Sequence, residues 1–203
     1  NIKVYTTWFK YNSDHCIMAE ALKNTGGIFT VYQRSYEGLP SAQTTISADI
    51  VLVHSHNNAG LEGLSQSRIN YCVTVGYVGD HRFKLVEPAA LKIRSQLQEN
   101  GARLIVALFD ENSGNDSRWF VGHEGPQEEY AFWLEKLLED DELGLVIKPK
   151  SPKTLRRRLG DVANLLDRAL QTGRCFISEA GVIQGSAPPA LAAKAADVAV
   201  HGS

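Results

Sequence analysis

Arg103-Leu104-Ile105-Val106-Ala107-Leu108-Phe109 is the clearest β-strand in the chain: one arginine, then an unbroken apolar run that stops at the acidic pair Asp110-Glu111. Helical and strand patterns alternate around it. Upstream, Pro88 stands where a first helical turn begins, and that helix runs to Asn100 with Gly101 as its cap. Downstream, a long loop over 110–125 leads to Pro126 and a helix to about Asp140, with Tyr130, Trp133, Leu134, Leu137 and Leu138 as its core stripe. Leu145-Val146-Ile147 is the next strand, and a short turn of helix starts at Pro152. A helix over Asp161–Thr172 follows, burying Val162, Leu165, Leu166 and Ala169. Cys175-Phe176-Ile177 is a strand, Pro188-Pro189 opens an Ala-rich helix, and Asp197-Val198-Ala199-Val200 is the last strand. Such alternation predicts an α/β fold: a parallel sheet with helices on its faces.

The first part of the chain reads the same way. Lys3–Thr6 is a short strand, and Asn12 or Ser13 caps a helix to about Asn24 that Gly26-Gly27 end. Ile17, Met18, Ala21 and Leu22 are its expected core face. Ile28–Gln33 is a strand, followed by a polar loop through Pro40. Asp49-Ile50-Val51-Leu52-Val53-His54 is apolar on both faces, as a buried parallel strand should be. Ile69–Val75 is a further strand, with no helix assigned between the two. Residues 76–86 combine two glycines with several charges and mark a domain boundary, giving domains at 1–80 and 81–203.

Composition narrows the function classes. The 203 residues carry a formal net charge of −2 and are 43% hydrophobic, which argues for an ordinary globular core and against a general nucleic-acid binder. No apolar run approaches the roughly 18 residues that span a bilayer, and the N-terminus carries no signal-peptide pattern. Cys16, Cys72 and Cys175 are far apart, which argues against a zinc knuckle, a redox pair or a disulfide framework. They read as buried free thiols of a cytoplasmic protein. The chain lacks an initiator Met and stops just after a strand, so both ends read as truncated.

In open α/β sheets ligands bind beyond the carboxyl ends of the strands. In the second domain that rule selects Asp110-Glu111-Asn112-Ser113, Lys148-Pro149-Lys150, Ser178-Glu179 and His201-Gly202-Ser203; in the first it selects Gln33-Arg34-Ser35 and His54 to Asn58. Lys148, Lys150, Lys153, Arg156, Arg157 and Arg158 form a basic stretch suited to a phosphate, Lys148 and Lys150 above all. The plain alternative is a solvated face balancing the acidic residues of 135–142. Asp110 and Glu111 are candidate acid/base or ligand-hydroxyl groups, or simply turn residues. His123-Glu124 either positions a ligand or caps a helix. His54-x-His56 lacks a third metal ligand at suitable spacing, so no metal is assigned. Trp119, in the long loop, is the tryptophan most suited to a cleft wall. There is no G-x-G-x-x-G fingerprint and no G-x-S-x-G elbow.

Three passages carry a family resemblance: Leu104–Asn112 (LIVALFDEN), Leu145–Lys150 (LVIKPK) and Ala196–Ser203 (ADVAVHGS). They resemble the donor-binding lobe of GT-B glycosyltransferases of surface and capsular polysaccharide biosynthesis, with a looser likeness to CDP-glycerol glycerophosphotransferases. Ala19–Gly27 and Tyr32–Ser35 (YQRS) are similar to the end of an N-terminal acceptor lobe. A His-Pro is expected after the basic strand, where this chain has Lys-Pro-Lys.

The resemblance implies two Rossmann-like lobes truncated at both ends, residues 1–80 on the acceptor side and 81–203 on the donor side. It implies metal-independent transfer of a sugar from a nucleotide donor to a glycan acceptor, with the donor as substrate and no cofactor. Lys148, Lys150, His201 and Ser203 are then the donor and phosphate contacts, and Asp110 and Glu111 the catalytic candidates. Arg34, His54, His56, Trp119, His123 and Glu124 line the cleft. The expected location is cytoplasmic, with peripheral membrane association open to the full-length protein and the fragment itself expected to be inactive. A non-catalytic nucleotide- or carbohydrate-binding lobe and a sugar-nucleotide epimerase are the competing expectations.

Overall fold

Every strand pairing among the described residues is parallel, and the strands form two four-stranded sheets. The computed structural model describes residues 2–8, 13–34, 39–42, 45–111, 113–114, 122–179 and 187–201. The chain divides into two compact units, Asn1–Asp80 and His81–Ser203, each holding one sheet.

The first unit contains β1 (Val4–Thr7), α1 (Ser13–Thr25), β2 (Ile28–Tyr32), β3 (Ser47–Val53), α2 (His56–Leu64) and β4 (Arg68–Thr74), with sheet order β1-β2-β3-β4. The strand order advances in one direction, so right-handed crossovers put the described helices on one side of the sheet. Leu22 and Met18 of α1 and Ala59 of α2 accordingly pack in one cluster with Phe29, Val31, Val51 and Val53. The alternate positions Val4, Ile28, Tyr71 and Val73 are exposed. Gly26 ends α1 with a φ of 69°, and a Cβ on Gly27 would lie 2.4 Å from the Leu22 side chain and 3.1 Å from the Lys3 carbonyl. The Gly-Gly pair is thus required both by the turn and by close packing.

Two expectations for this unit need correction. Ile17 is 68% exposed, and Leu22 is the buried residue of α1. Residues 56–64 form a helix that the sequence did not suggest. Its buried residues are Asn58 and Glu62, not an apolar stripe, and two glycines interrupt it. Ser55 Oγ donates to Asn58 Oδ1 and Ser67 Oγ donates to Glu62 Oε2, so polar contacts substitute for the missing stripe.

The second unit contains α3 (His81–Glu99), β5 (Leu104–Phe109), α4 (Glu124–Glu139), β6 (Leu143–Lys148), α5 (Pro152–Leu159), a 3-10 turn over Gly160–Val162, α6 (Ala163–Gln171), β7 (Cys175–Ile177), α7 (Pro189–Ala195) and β8 (Val198–His201). Its order is β7-β6-β5-β8. The chain steps outward from β5 to β6 to β7, then returns to pair β8 on the other edge of β5. That reversal puts helices on both faces. Val106, Leu108, Leu145 and Ile147 pack against α4, α5 and α6, whereas Ile105, Ala107 and Val146 pack against α3 and α7. This is the Rossmann-like arrangement the alternation predicts.

Here α3 begins seven residues before Pro88, which lies inside the helix and not at its start. Pro88 removes one amide from the helical ladder, and it does so on the exposed side, where water reaches the carbonyl left without a partner. The cysteines are also redistributed. Cys16 and Cys72 are exposed and only Cys175 is buried, its thiol pushed up to about 12 by that burial. No helix among the described residues is long and apolar enough to cross a membrane.

One device recurs in both sheets. Asp49 Oδ2 accepts the Phe29 amide at 2.8 Å while Oδ1 accepts Asn70 Nδ2 at 3.0 Å. Asp197 Oδ2 accepts the Ile105 amide at 2.9 Å while Oδ1 takes Arg94 Nη2 at 2.6 Å. Each aspartate follows an alanine near the start of a strand and ties a neighbouring strand to it. Burial raises the Asp197 carboxyl, but the Ile105 amide and Arg94 outweigh it and hold the carboxyl below its ordinary value. Its contribution is therefore complete above the ordinary carboxylate range and is lost as pH falls through its lowered folded value. We expect Asp197→Asn to lose about 1 kcal/mol at neutral pH and to converge with the parent as pH falls through the lowered carboxyl value. Urea unfolding midpoints measured across that range check this.

Candidate functional site

The reversal of strand order in the second unit falls between β5 and β8, and such a switch point opens a crevice at the carboxyl ends of the strands. Phe109 of β5 is in register with Lys148 of β6 on one side and His201 of β8 on the other. The three strands thus end level, and the residues that follow them share one edge: Asp110-Glu111 after β5 and Pro149-Lys150 after β6. This edge brings together Asp110, Glu111, Lys148, Lys150 and His201, five of the residues selected from the sequence.

Three of them form a surface charge cluster. Glu111 Oε2 accepts from Lys150 Nζ at 3.3 Å, and Glu111 Oε1 lies 3.2 Å from His201 Nε2. All three side chains are more than half exposed. The Lys150 hydrogen bond and charge hold the Glu111 carboxyl below its usual range, and His201 adds to the effect. Lys148 is half-buried and donates from Nζ to the Pro149 carbonyl at 2.9 Å. Burial lowers its ammonium, and the nearby charge of Asp110 opposes this.

Asp110 departs from the expectation of an open catalytic carboxylate. Its side chain is 2% exposed and that of Arg158 is 4% exposed. The guanidinium grips both carboxylate oxygens: Nη2 donates to Oδ2, and Nη1 donates to Oδ1 at 3.3 Å. Arg158 Nη1 also donates to Ser113 Oγ at 3.3 Å, and Ser113 Oγ is hydrogen-bonded to His123 Nδ1 at 2.8 Å. Gln127 Nε2 closes the network by donating to the Arg158 carbonyl at 2.6 Å. Arg158 is therefore removed from the basic stretch that the sequence assigned to phosphate, and Asp110 from the acid/base candidates. Its neighbour Arg156 is likewise engaged, with Asp167 of α6. The inward position of Arg158 was legible in principle, because it falls between Leu155 and Leu159 on the buried face of α5.

Two further groups face the same charges. Tyr130 is 1% exposed, and its hydroxyl finds no hydrogen-bond partner of normal geometry. Burial, then the charge of Asp110, pushes it far above the ordinary phenol range. Glu129, half-buried on α4, is raised by burial and by Asp110, with His201 acting in the opposite sense. Neither residue is singled out by any motif, since both fall within an ordinary helical pattern. Ser178, at the end of β7, is 1% exposed and its hydroxyl is also without a partner.

The remaining candidates are placed as follows. Glu124 is the first residue of α4 and His123 precedes it as the cap residue, without a side-chain cap bond. In the first unit Arg34 follows β2 and His54 follows β3 on the carboxyl edge. The Arg34 guanidinium carbon lies 4.4 Å above the Trp8 ring. His54 meets Tyr77 edge-on at 5.6 Å, its amide donates to Gln33 Oε1 at 2.7 Å, and its Nε2 is buried without a partner. His56 opens α2 and lies 3.4 Å from Thr74 Oγ1 through Nδ1. Trp119 and Ser203 lie outside the described residues. Among the described residues no three potential ligands gather as a metal site.

Removing one partner of a buried ion pair leaves the other charge uncompensated. We expect Arg158→Met to cost about 3–5 kcal/mol. Asp110→Leu combined with Arg158→Met should recover a large share of that loss, read by denaturant unfolding. Comparison with protein-family models, with curated proteins and with solved structures finds no match to this chain.

Proposed function

We propose that the second unit binds the diphosphate of a nucleotide-activated donor in its switch-point crevice, and that the chain is part of a glycosyltransferase of GT-B type acting on a glycan acceptor. The observation that carries this reading is the convergence of Lys148, Lys150 and His201 on the level ends of β6 and β8. Cations at such an edge neutralise a diphosphate in the ground state and stabilise it more as it departs with additional negative charge. In the transfer an acceptor hydroxyl attacks the anomeric carbon. The bond from that carbon to the diphosphate oxygen breaks, the nucleoside diphosphate leaves with the electron pair, and the hydroxyl proton passes to a base. Lys148 and Lys150 serve the departing phosphate, and the first unit serves the acceptor side, with Arg34, His54 and His56 on its carboxyl edge. The nucleotide donor is consumed as substrate, and the cytoplasm is the compartment that supplies such donors.

A second reading has one specific observation in its favour. Asp110 is committed to Arg158, which withdraws the carboxylate at the end of β5 from proton abstraction on an acceptor. That favours a lobe that binds nucleotide or carbohydrate without catalysing transfer. Product formation from a nucleotide sugar by the full-length protein separates the two.

Calorimetric titration with UDP, GDP, CDP and CMP tests the site itself. We expect a nucleoside diphosphate to bind, and Lys148→Ala with Lys150→Ala to weaken it by about 1–3 kcal/mol through loss of charged hydrogen bonds. Unchanged affinity in the double variant removes the phosphate assignment.

A further inference from the structure

The acidic pair after β5 holds two carboxylates in opposite situations. Asp110 is buried and gripped by Arg158, whereas the Glu111 side chain is 65% exposed and meets only exposed partners. Glu111 presents one oxygen to Lys150 Nζ at 3.3 Å and the other to His201 Nε2 at 3.2 Å. Lys150 follows β6 and His201 ends β8, on opposite sides of β5, so the carboxylate sits across the switch point. Neither Lys150 nor His201 has another ion-pair partner among the described residues. Two oxygens of a carboxylate are spaced much like two oxygens of a phosphate, and both accept from the same donors.

We propose that Glu111 is a resident stand-in for a ligand phosphate: it fills the anion position between Lys150 and His201, and a nucleoside diphosphate binds by displacing it. This rests on the reading of the crevice as a nucleotide site and adds to it the residue that sets the site's affinity. Displacement is inexpensive because the pairs are exposed, each being worth roughly 1.5- to 5-fold in an equilibrium constant. A ligand gains access only if it resupplies negative charge to both donors. Neutral sugars and nucleosides therefore leave Glu111 in place, and diphosphates move it. Asp110, fixed by its buried pair, keeps the backbone of this loop in position while the Glu111 side chain swings.

Titration calorimetry of the 203-residue chain with UDP and with inorganic pyrophosphate, at low ionic strength and without divalent metal, tests this. Removing the charge with Glu111→Gln is expected to tighten both ligands by about two- to twenty-five-fold. In a Lys150→Met background the same substitution should gain less, because one of the two displaced contacts is already gone. Weaker binding by Glu111→Gln would mean that the carboxylate holds the ligand itself, and unchanged binding would mean that it does not compete; either result overturns the proposal while leaving the nucleotide site standing. Binding by Glu111→Gln where the parent shows none supports it. If neither protein binds either ligand, the stand-in and the nucleotide site fall together.

Discussion

The second unit is organised by the burial of β5 on both faces and its parallel pairing on both edges. Ile105, Ala107 and Leu108 are at most 1% exposed, so a register slip would move apolar side chains between two already filled layers. That constraint fixes where β6 and β8 end relative to β5. It also fixes the level row of Lys148, Phe109 and His201 from which the candidate site is built. The aspartate contact from Asp197 to the Ile105 amide acts at the opposite end of the same pair, anchoring the entry of β8. The chemistry at one end of the sheet is thus positioned by packing in its middle and by a hydrogen bond at its start.

Charge in the site is layered. The inner layer, Asp110 with Arg158, is desolvated and paired bidentately; its role is positional, because neither group can leave without exposing a bare charge to an apolar interior. The outer layer, Glu111 with Lys150 and His201, stays in water and is held weakly. Between them stand Lys148, Glu129 and Tyr130, all shifted in the direction that burial dictates. The candidate site therefore has a buried, bidentate inner charge pair and an exposed, weakly held outer one.

The two units solve the problem of covering a sheet differently. Reversal of strand order in the second lets right-handed crossovers cover both faces. The first advances in one direction only, and its described helices share a single side. The same local vocabulary of strand, helix and an Ala-Asp strand start therefore yields one doubly covered sheet and one with an exposed apolar row at Val4, Ile28, Tyr71 and Val73.

Unbroken apolar runs such as 104–109, alternating with helical stripes, determined by themselves that the fold is α/β with parallel strands, because a sheet covered by helices on both faces accommodates them; the run 50–53 pointed the same way, although Ile50 and Leu52 are only half-buried in a sheet whose described helices share one side. The strand-end rule then located Glu111, Lys148, Lys150 and His201, since a residue's position along its own strand is a local property. Sequence did not reveal α2, whose buried side chains are polar, or the true start of α3 ahead of Pro88, whose exposed position makes a missing amide tolerable. It also left open which of two adjacent carboxylates is locked and which is free. That was decided by tertiary structure alone: the guanidinium that claims Asp110 arrives from a helix 48 residues further along the chain, and the partners of Glu111 come from the end of β8 and the residues just after β6, on either side of it. Charge pairing over such separations depends on strand order, and strand order is set by how the whole sheet is covered.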